Sequence, residues 1–213
     1  MGIFSFERYG VVMNAQEPIG ALNPEPAAVV GLIEKLVEGM WPRSDFDRKG
    51  WFERLGLVSG ACWDDPQEAS ALAHYSLRTP LAGGEIASSW TSYGGRFLGI
   101  SMQLYSSLET DNPSTKEGYE DIHARLAGIY GEGTNPWHDP VVQACVWHVN
   151  GRRIVIRFFN LQHSGVMVSI DDAGLATASE VEARHRSAST HWNNSAEGAS
   201  PFVLPRLGTV KLQ

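Results

Sequence analysis

The stretch that decides the fold is VVQACVWHVNGRRIVIRFF, residues 141–159. Two runs rich in β-branched and aromatic residues, 141–149 and 152–159, flank the dipeptide Asn150-Gly151. Asn-Gly between such runs is the strongest short-range signal for a β-hairpin, because a type I′ turn needs a positive φ at both of its central residues. The sequence therefore predicts two antiparallel strands here.

Strand signals also lie on both sides of this hairpin. Gly94-Gly95 marks a second predicted hairpin by the same turn argument. Alternating apolar residues and turn signals predict the other strands, which are residues 57–63, 70–77, 85–93, 96–105 and 165–170.

Capping residues and apolar spacing predict four helices. Asn23 is expected to cap the first helix, with Pro24 at its first position. Ser114 with Glu117 fits a capping box for the third helix, and Thr177 with Glu180 fits one for the fourth after a turn at 172–174. The predicted helices are residues 24–40, 45–55, 115–130 and 177–186.

This order of elements predicts an α+β fold, a mainly antiparallel sheet with helices packed on one side. A chain of 213 residues with 43% hydrophobic residues can bury a sizeable core without disulfides, so we expect a single domain over 1–213. The ordered core is predicted over about 23–186. Residues 187–201, rich in Ser and Asn, have the composition of a flexible segment.

Several features predict a cytoplasmic protein. The N-terminal residues lack the basic and apolar regions of a signal peptide, and no apolar run approaches the roughly 18 to 20 residues that cross a membrane. The two cysteines, Cys62 and Cys145, lie far apart, which predicts reduced thiols buried as small core residues.

The net charge of -7 disfavours nucleic acid as a partner, because phosphate binding needs clustered Lys and Arg. The charge is uneven. Residues 1–140 carry 19 acidic and 10 basic side chains, whereas residues 141–213 carry 5 and 7. The acidic front half suits a basic partner protein, although acidity for solubility explains it as well.

No known catalytic or cofactor motif occurs in the sequence. It contains no Gly-x-Ser-x-Gly nucleophile elbow, no phosphate-binding loop and no dinucleotide-binding glycine pattern. The seven histidines show none of the close spacings of a zinc site. We therefore predict no catalytic residue, no metal and no cofactor, and favour a protein that is not an enzyme.

The loop NPWHDP, residues 135–140, carries the main alternative, an enzyme whose site assembles in three dimensions. It brings Trp137, His138 and Asp139 together, and an imidazole beside a carboxylate can act as a base and its orienting group. The sequence shows no nucleophile near them. Asn-Pro and Asp-Pro are also ordinary turn builders.

Aromatic and acidic side chains at the ends of predicted elements are the candidate partner-binding residues. Trp and Tyr are frequent in interfaces, although they also bury readily in a core. The predicted set is Trp63, Asp64, Asp65, Trp90, Tyr93, Trp137, His138 and Asp139. Arg153 and Arg157 share one side of their strand with apolar residues, which fits either a half-covered sheet face or an anion site.

Residues 129–131, 136–137 and 146–154 are similar to stretches in small actinobacterial proteins, some of which look like immunity proteins encoded beside secreted toxins. The resemblance covers about residues 55–186. The element order also looks like that of secretion-chaperone-like domains, in which a sheet and helices present a surface to an effector. These resemblances imply a binding role and supply no catalytic residues.

The leading hypothesis is a non-enzymatic immunity or chaperone-like protein that holds a cognate effector or toxin in the cytoplasm. The enzyme at the 135–140 loop is one alternative. A structural or regulatory domain, forming a homodimer through an open sheet edge, is another.

Overall fold

The computed structural model describes residues 22–64, 71–82, 86–136 and 142–196, with side chains as far as residue 186. Within these residues, seven antiparallel strands form one sheet and four helices pack against it. The elements in chain order are α1 (Pro26–Val37), α2 (Asp45–Leu55), β1 (Val58–Cys62), β2 (Leu72–Arg78), β3 (Ala87–Tyr93), β4 (Arg96–Ser107), α3 (Pro113–Tyr130), β5 (Val142–Val149), β6 (Arg152–Asn160), β7 (Ser164–Asp172) and α4 (Ala173–Ala196).

The two halves of the chain meet in the middle of the sheet. The strand order is β1-β2-β3-β4-β7-β6-β5, so the first four strands form one meander and the last three form another. Helix α3 connects the two meanders and contacts β4, β5, β6 and β7 on its way to the far edge. The chain then returns strand by strand until β7 pairs with β4, with Ile100 opposite Ile170.

The main core lies between one face of the sheet and helices α1, α2 and α3. Alternate residues of β4, β6 and β7 point to this face, because side chains alternate along a strand. Its largest fully buried side chains include Ile33, Leu36, Ile100, Met102, Leu104, Ile122, Leu126, Ile154, Ile156 and Ile170. The predicted α+β fold with helices packed against an antiparallel sheet is confirmed.

Helix α4 lies on the opposite face of the sheet. Leu175 and Ala176 pack on Leu98, with Leu72 and Tyr93 partly buried beside them. The main core contains Trp90 and Phe97 instead, which are on the other side of the same strands. One helix therefore covers part of the face that the first three leave open.

The two predicted hairpin turns are confirmed, whereas the turn predicted at 172–174 is replaced by the direct passage from β7 into α4. Asn150 and Gly151 both have positive φ, 50° and 74°, and Gly94 and Gly95 have φ of 56° and 74°. Helix α2 has its predicted bounds, since Ser44 caps its start and Gly56 ends it in the left-handed conformation.

Three predicted helix starts are wrong. Helix α1 begins at Pro26, because Glu25 precedes a proline and is held extended with ψ of 130°. Helix α3 is capped by Asn112, since Pro113 takes the first helical position and leaves Ser114 already inside the helix.

The third wrong start is that of helix α4, which begins at Ala173 instead of residue 177 and is longer than predicted. It begins directly after β7, where the Asp172 carboxylate accepts a hydrogen bond from the Leu175 N–H at 2.9 Å. Its backbone continues to Ala196, into the segment predicted to be flexible. Cys145 is buried as expected, whereas Cys62 is exposed because β1 is an edge strand with five exposed residues.

Candidate functional site

A concave site of about 630 Å³ lies at one end of the central strands. We call it the arginine pocket, because three of its lining residues are arginines and one is acidic. Its volume is within the range of about 300–1,000 Å³ that is usual for binding sites of small ligands. The residues that define it are Met40, Trp41, Arg43, Arg96, Phe97, Arg152 and Asp172.

Four separate segments of the chain build the arginine pocket. The connection between α1 and α2 supplies one wall, because Gly39, with φ of 70°, turns the chain back after α1. The first residues of β4 and β6 supply Arg96 and Arg152, and the junction between β7 and α4 supplies Asp172. Arg152 and Asp172 are cross-strand partners, which places them side by side.

Arg152 holds the wall in place. It is only 9% exposed, and its guanidinium donates hydrogen bonds to the carbonyls of Asn150 and Gly39, the latter at 2.6 Å. The Asn150 amide also donates to the Val37 carbonyl at 3.3 Å. The β5–β6 turn therefore satisfies carbonyls at the end of α1, which a helix end otherwise leaves unpaired.

Trp41 forms the aromatic floor of the arginine pocket. Its ring lies 4.8 Å from the Phe97 ring and 5.4 Å from the Arg152 guanidinium, measured to the ring centroids. Its indole N–H donates to the Phe97 carbonyl at 3.3 Å. Contacts with Phe97 and Arg152 therefore hold the Trp41 ring in place within the pocket.

The charge of the arginine pocket is not neutralised within the described residues. Arg43 and Arg96 are exposed, and in the described ranges neither they nor Arg152 forms an ion pair. The Nε–H of Arg152 is buried and has no acceptor among the residues that the structure describes. Asp172 caps α4 and is the one acidic residue in the described lining, against three arginines. A positive site thus lies on a chain of net charge -7.

Two large exposed apolar side chains lie in or close in sequence to the pocket-lining segment 39–43. Met40 is 87% exposed, and Phe46, three residues after Arg43, is 86% exposed. Met, Trp, Phe and Arg are the residues enriched in protein interfaces, and exposed apolar residues of this size are candidate anchors. The segment from Met40 to Phe46 therefore has the composition of an interface.

Two of the predicted partner-binding residues lie at the β1 edge. Trp63 is 45% exposed at the end of β1 and donates its backbone N–H to the His74 carbonyl at 2.9 Å. Asp64 bonds the backbone N–H of His74 and lies 3.2 Å from its ring Nδ1. Asp64 therefore holds the chain to β2, and Trp63 presents a partly exposed aromatic ring here.

Two other predicted residues are used inside the fold. Trp90 is a core residue with 5% exposure, and its ring stacks on Tyr75 at 3.9 Å under the Arg48 guanidinium at 4.1 Å. Tyr93 points to the other face and donates its hydroxyl to Glu182 of α4 at 2.6 Å. Strand alternation separates these two residues, so they do not form one surface.

Asp65, Trp137, His138 and Asp139 lie outside the described residues. The site predicted at the 135–140 loop therefore stays a prediction, as does the enzyme that depends on it. In the described part of the chain, no group of three or more His, Cys, Asp or Glu residues is placed to hold a metal ion. None of the described helices is long and apolar enough to cross a membrane.

A second charged cluster lies where α4 crosses the sheet. Arg153 donates to Glu180 at 2.6 Å and lies 3.4 Å from Asp171, its cross-strand partner. Burial raises the pKa of Asp171 to about 6, although the Arg153 guanidinium partly offsets this. Gly99 makes room for the carboxylate, since a Cβ there would lie 2.2 Å from Asp171 Oδ1. This cluster holds α4 against the sheet. For Arg153, the structure therefore agrees with the predicted half-covered sheet face.

The residues of the arginine pocket were missed as a group by the sequence analysis. Met40 falls inside the predicted first helix, and Arg43, Arg96 and Arg152 are separated by about fifty residues each. The one local signal is the segment MWPR, residues 40–43, which combines the residue types of an interface with a helix-ending proline.

Comparison of the chain with models of protein families, with curated proteins and with solved structures gives no match.

Proposed function

We propose that this chain is a non-enzymatic binding protein that holds a partner protein in the cytoplasm, as an immunity or chaperone-like protein does. The observation that carries the proposal is the surface from Met40 to Phe46 together with the arginine pocket. It combines exposed apolar side chains, two packed aromatic rings and guanidinium groups that form no ion pair within the described residues.

The geometry supports occlusion of a partner more than turnover of a substrate. Within the described residues, the pocket is lined by cations, aromatic rings and the Asp172 carboxylate, which caps α4, and by no hydroxyl, thiol or imidazole. A few aromatic and arginine anchors in a concave site carry much of the affinity in protein interfaces. Charge at the rim increases the rate of association.

Capture of the partner from its source tests this proposal. We expect the tagged chain to retain one protein in stoichiometric amount, and the Met40→Asp, Phe46→Asp double variant to lose it. Leu108→Asp, Leu161→Asp is the matched control, because both leucines are also exposed but lie at the loops that follow β4 and β6. All three proteins should fold alike, since the substituted side chains are exposed.

Retention of no protein by the wild type would contradict the proposal, as would equal loss in the control. If the captured partner is a toxin, an excess of the wild type should abolish its activity. An unchanged toxin activity would contradict the immunity role.

A further inference from the structure

We infer that the arginine pocket binds carboxylate groups of an acidic peptide segment that carries an apolar side chain next to them. The inference rests on the proposed function, because it names the part of the partner that this surface recognises. The carboxylates can come from Asp and Glu side chains or from a free C-terminus, which are the same chemical group.

The guanidinium groups point to a carboxylate. Arg43 and Arg96 are exposed and form no ion pair within the described ranges, so both are available to a ligand. A guanidinium presents a planar fork of donors that matches the two oxygens of a carboxylate. Arg152 adds a buried charge whose described partners are two carbonyls and an aromatic ring.

The rest of the lining points to an apolar neighbour of that carboxylate. Trp41 and Phe97 form a fixed aromatic surface, and Met40 lies beside it with most of its side chain in solvent. The flexible thioether of Met40 can adapt to apolar side chains of different shape. A volume of about 630 Å³ accommodates a side chain and the adjoining backbone, but not a folded domain.

Charge argues against nucleic acid as the ligand. A nucleic acid needs a basic surface that follows many phosphates, whereas the chain as a whole carries a net charge of -7. Asp172 places a carboxylate within the pocket itself, which opposes a dense polyanion more than a short segment with one or two charges. The acidic front half still favours a partner that is basic elsewhere, so the pocket is a local exception.

Selection of displayed random peptides on the full chain tests the inference. One library presents free C-termini and a second presents internal peptides with blocked C-termini, so that the two sources of the carboxylate are distinguished. We expect Asp or Glu, or a free C-terminus, next to an apolar residue among the selected peptides. Selection of neutral or basic peptides, or of none, would overturn the inference.

The affinity of a selected peptide is then measured by fluorescence anisotropy against single variants. Arg43→Gln and Arg96→Gln should each weaken binding by about tenfold, because each removes a charge-assisted hydrogen bond. Arg78→Gln is the matched control, since Arg78 is exposed on β2 and does not line the pocket. Equal affinity for the wild type and both pocket variants would overturn the inference.

Two further outcomes would also overturn it. Complete displacement of the peptide by millimolar inorganic phosphate would assign the pocket to phosphate instead. Self-association of the chain that the pocket variants abolish would assign it to a second copy of this protein.

Failure of this inference is distinguishable from failure of the proposed function. A captured partner that binds Arg43→Gln and Arg96→Gln as tightly as the wild type leaves the function standing and removes the pocket from it. If acidic peptides bind through both arginines but no protein is captured, the pocket inference is supported and the proposed function is contradicted.

Discussion

Gly118 and Gly128 lie on the same helix, α3, but in different surroundings. A Cβ atom on Gly118 would lie 2.4 Å from a ring carbon of Tyr105, whereas a Cβ atom on Gly128 would meet nothing within 4 Å. Gly118→Ala should therefore lower the free energy of unfolding by about 1–3 kcal/mol through overpacking.

Gly128→Ala is the control for that change, because it adds the same methyl group to the same helix. It should raise the free energy of unfolding by about 0.5–1 kcal/mol, since glycine is a poor helix former. Urea unfolding of the two variants measures both effects. Destabilisation of equal size in the two would show that Tyr105 does not pack on α3 as described.

Asp171 gives the fold a dependence on pH. Burial raises its pKa from 3.8 to about 6, so the folded state binds the proton more tightly than the unfolded state. The free energy of unfolding should therefore fall as pH rises from about 4 to about 6. Asp171→Asn should remove this component, which is read from the difference between the two stability curves.

Asp121→Asn serves as the control for the pH experiment. Asp121 forms an exposed i,i+4 pair with Arg125 on α3, where solvent screens its charge. Its curve should run parallel to that of the wild type over the same range. A parallel curve for Asp171→Asn as well would contradict the burial of this carboxylate.

At the scale of elements, two capping arrangements can be compared at the start of α3: the Asn112 cap of the structure and the predicted Ser114 capping box. The Asn112 side chain accepts a hydrogen bond from the Thr115 N–H at 3.2 Å, whereas Ser114 is an exposed helical residue. Asn112→Ala should lower the free energy of unfolding by about 1 kcal/mol. Ser114→Ala should change it by less than about 0.5 kcal/mol, which thermal or urea unfolding resolves. The reverse order would restore the predicted capping box.

The elements themselves are largely predictable because their signals are local. Asn150-Gly151 needs no distant residue to form its turn, and the Ser44 cap and Gly56 end of α2 act within one helical turn. The predicted starts of α1 and α3 are wrong by two residues because Pro26 and Pro113 take the first helical positions. The start of α4 combines a local cap, Asp172, with packing of Leu175 on Leu98, a contact that only the folded sheet supplies.

At the scale of the molecule, the order of the strands could not be read from the sequence. Strands β4 and β7 are neighbours in the sheet, although α3, β5 and β6 separate them along the chain. Local propensity carries no information about which meander edge pairs with which. The fold class can be predicted from the order of the elements. The pairing of β4 with β7 depends instead on how the apolar residues of the whole core are buried together.

The arginine pocket belongs to the same scale, which explains why the sequence did not reveal it. Arg43, Arg96 and Arg152 meet only because β4 and β6 begin at the same end of the sheet, where the α1–α2 connection crosses. The predicted residue Trp63 is different, because a single exposed aromatic side chain at the end of β1 is visible from a local pattern. A local positive pocket on an acidic molecule is therefore a property of the assembled fold.

Partner capture with the Met40→Asp, Phe46→Asp variant tests the central claim most directly, with the mass of the purified complex measured in solution. The account predicts a stoichiometric complex for the wild type and for the Leu108→Asp, Leu161→Asp control, and an uncomplexed chain for the variant. A complex of unchanged mass and affinity for the variant would contradict the claim that this surface binds the partner.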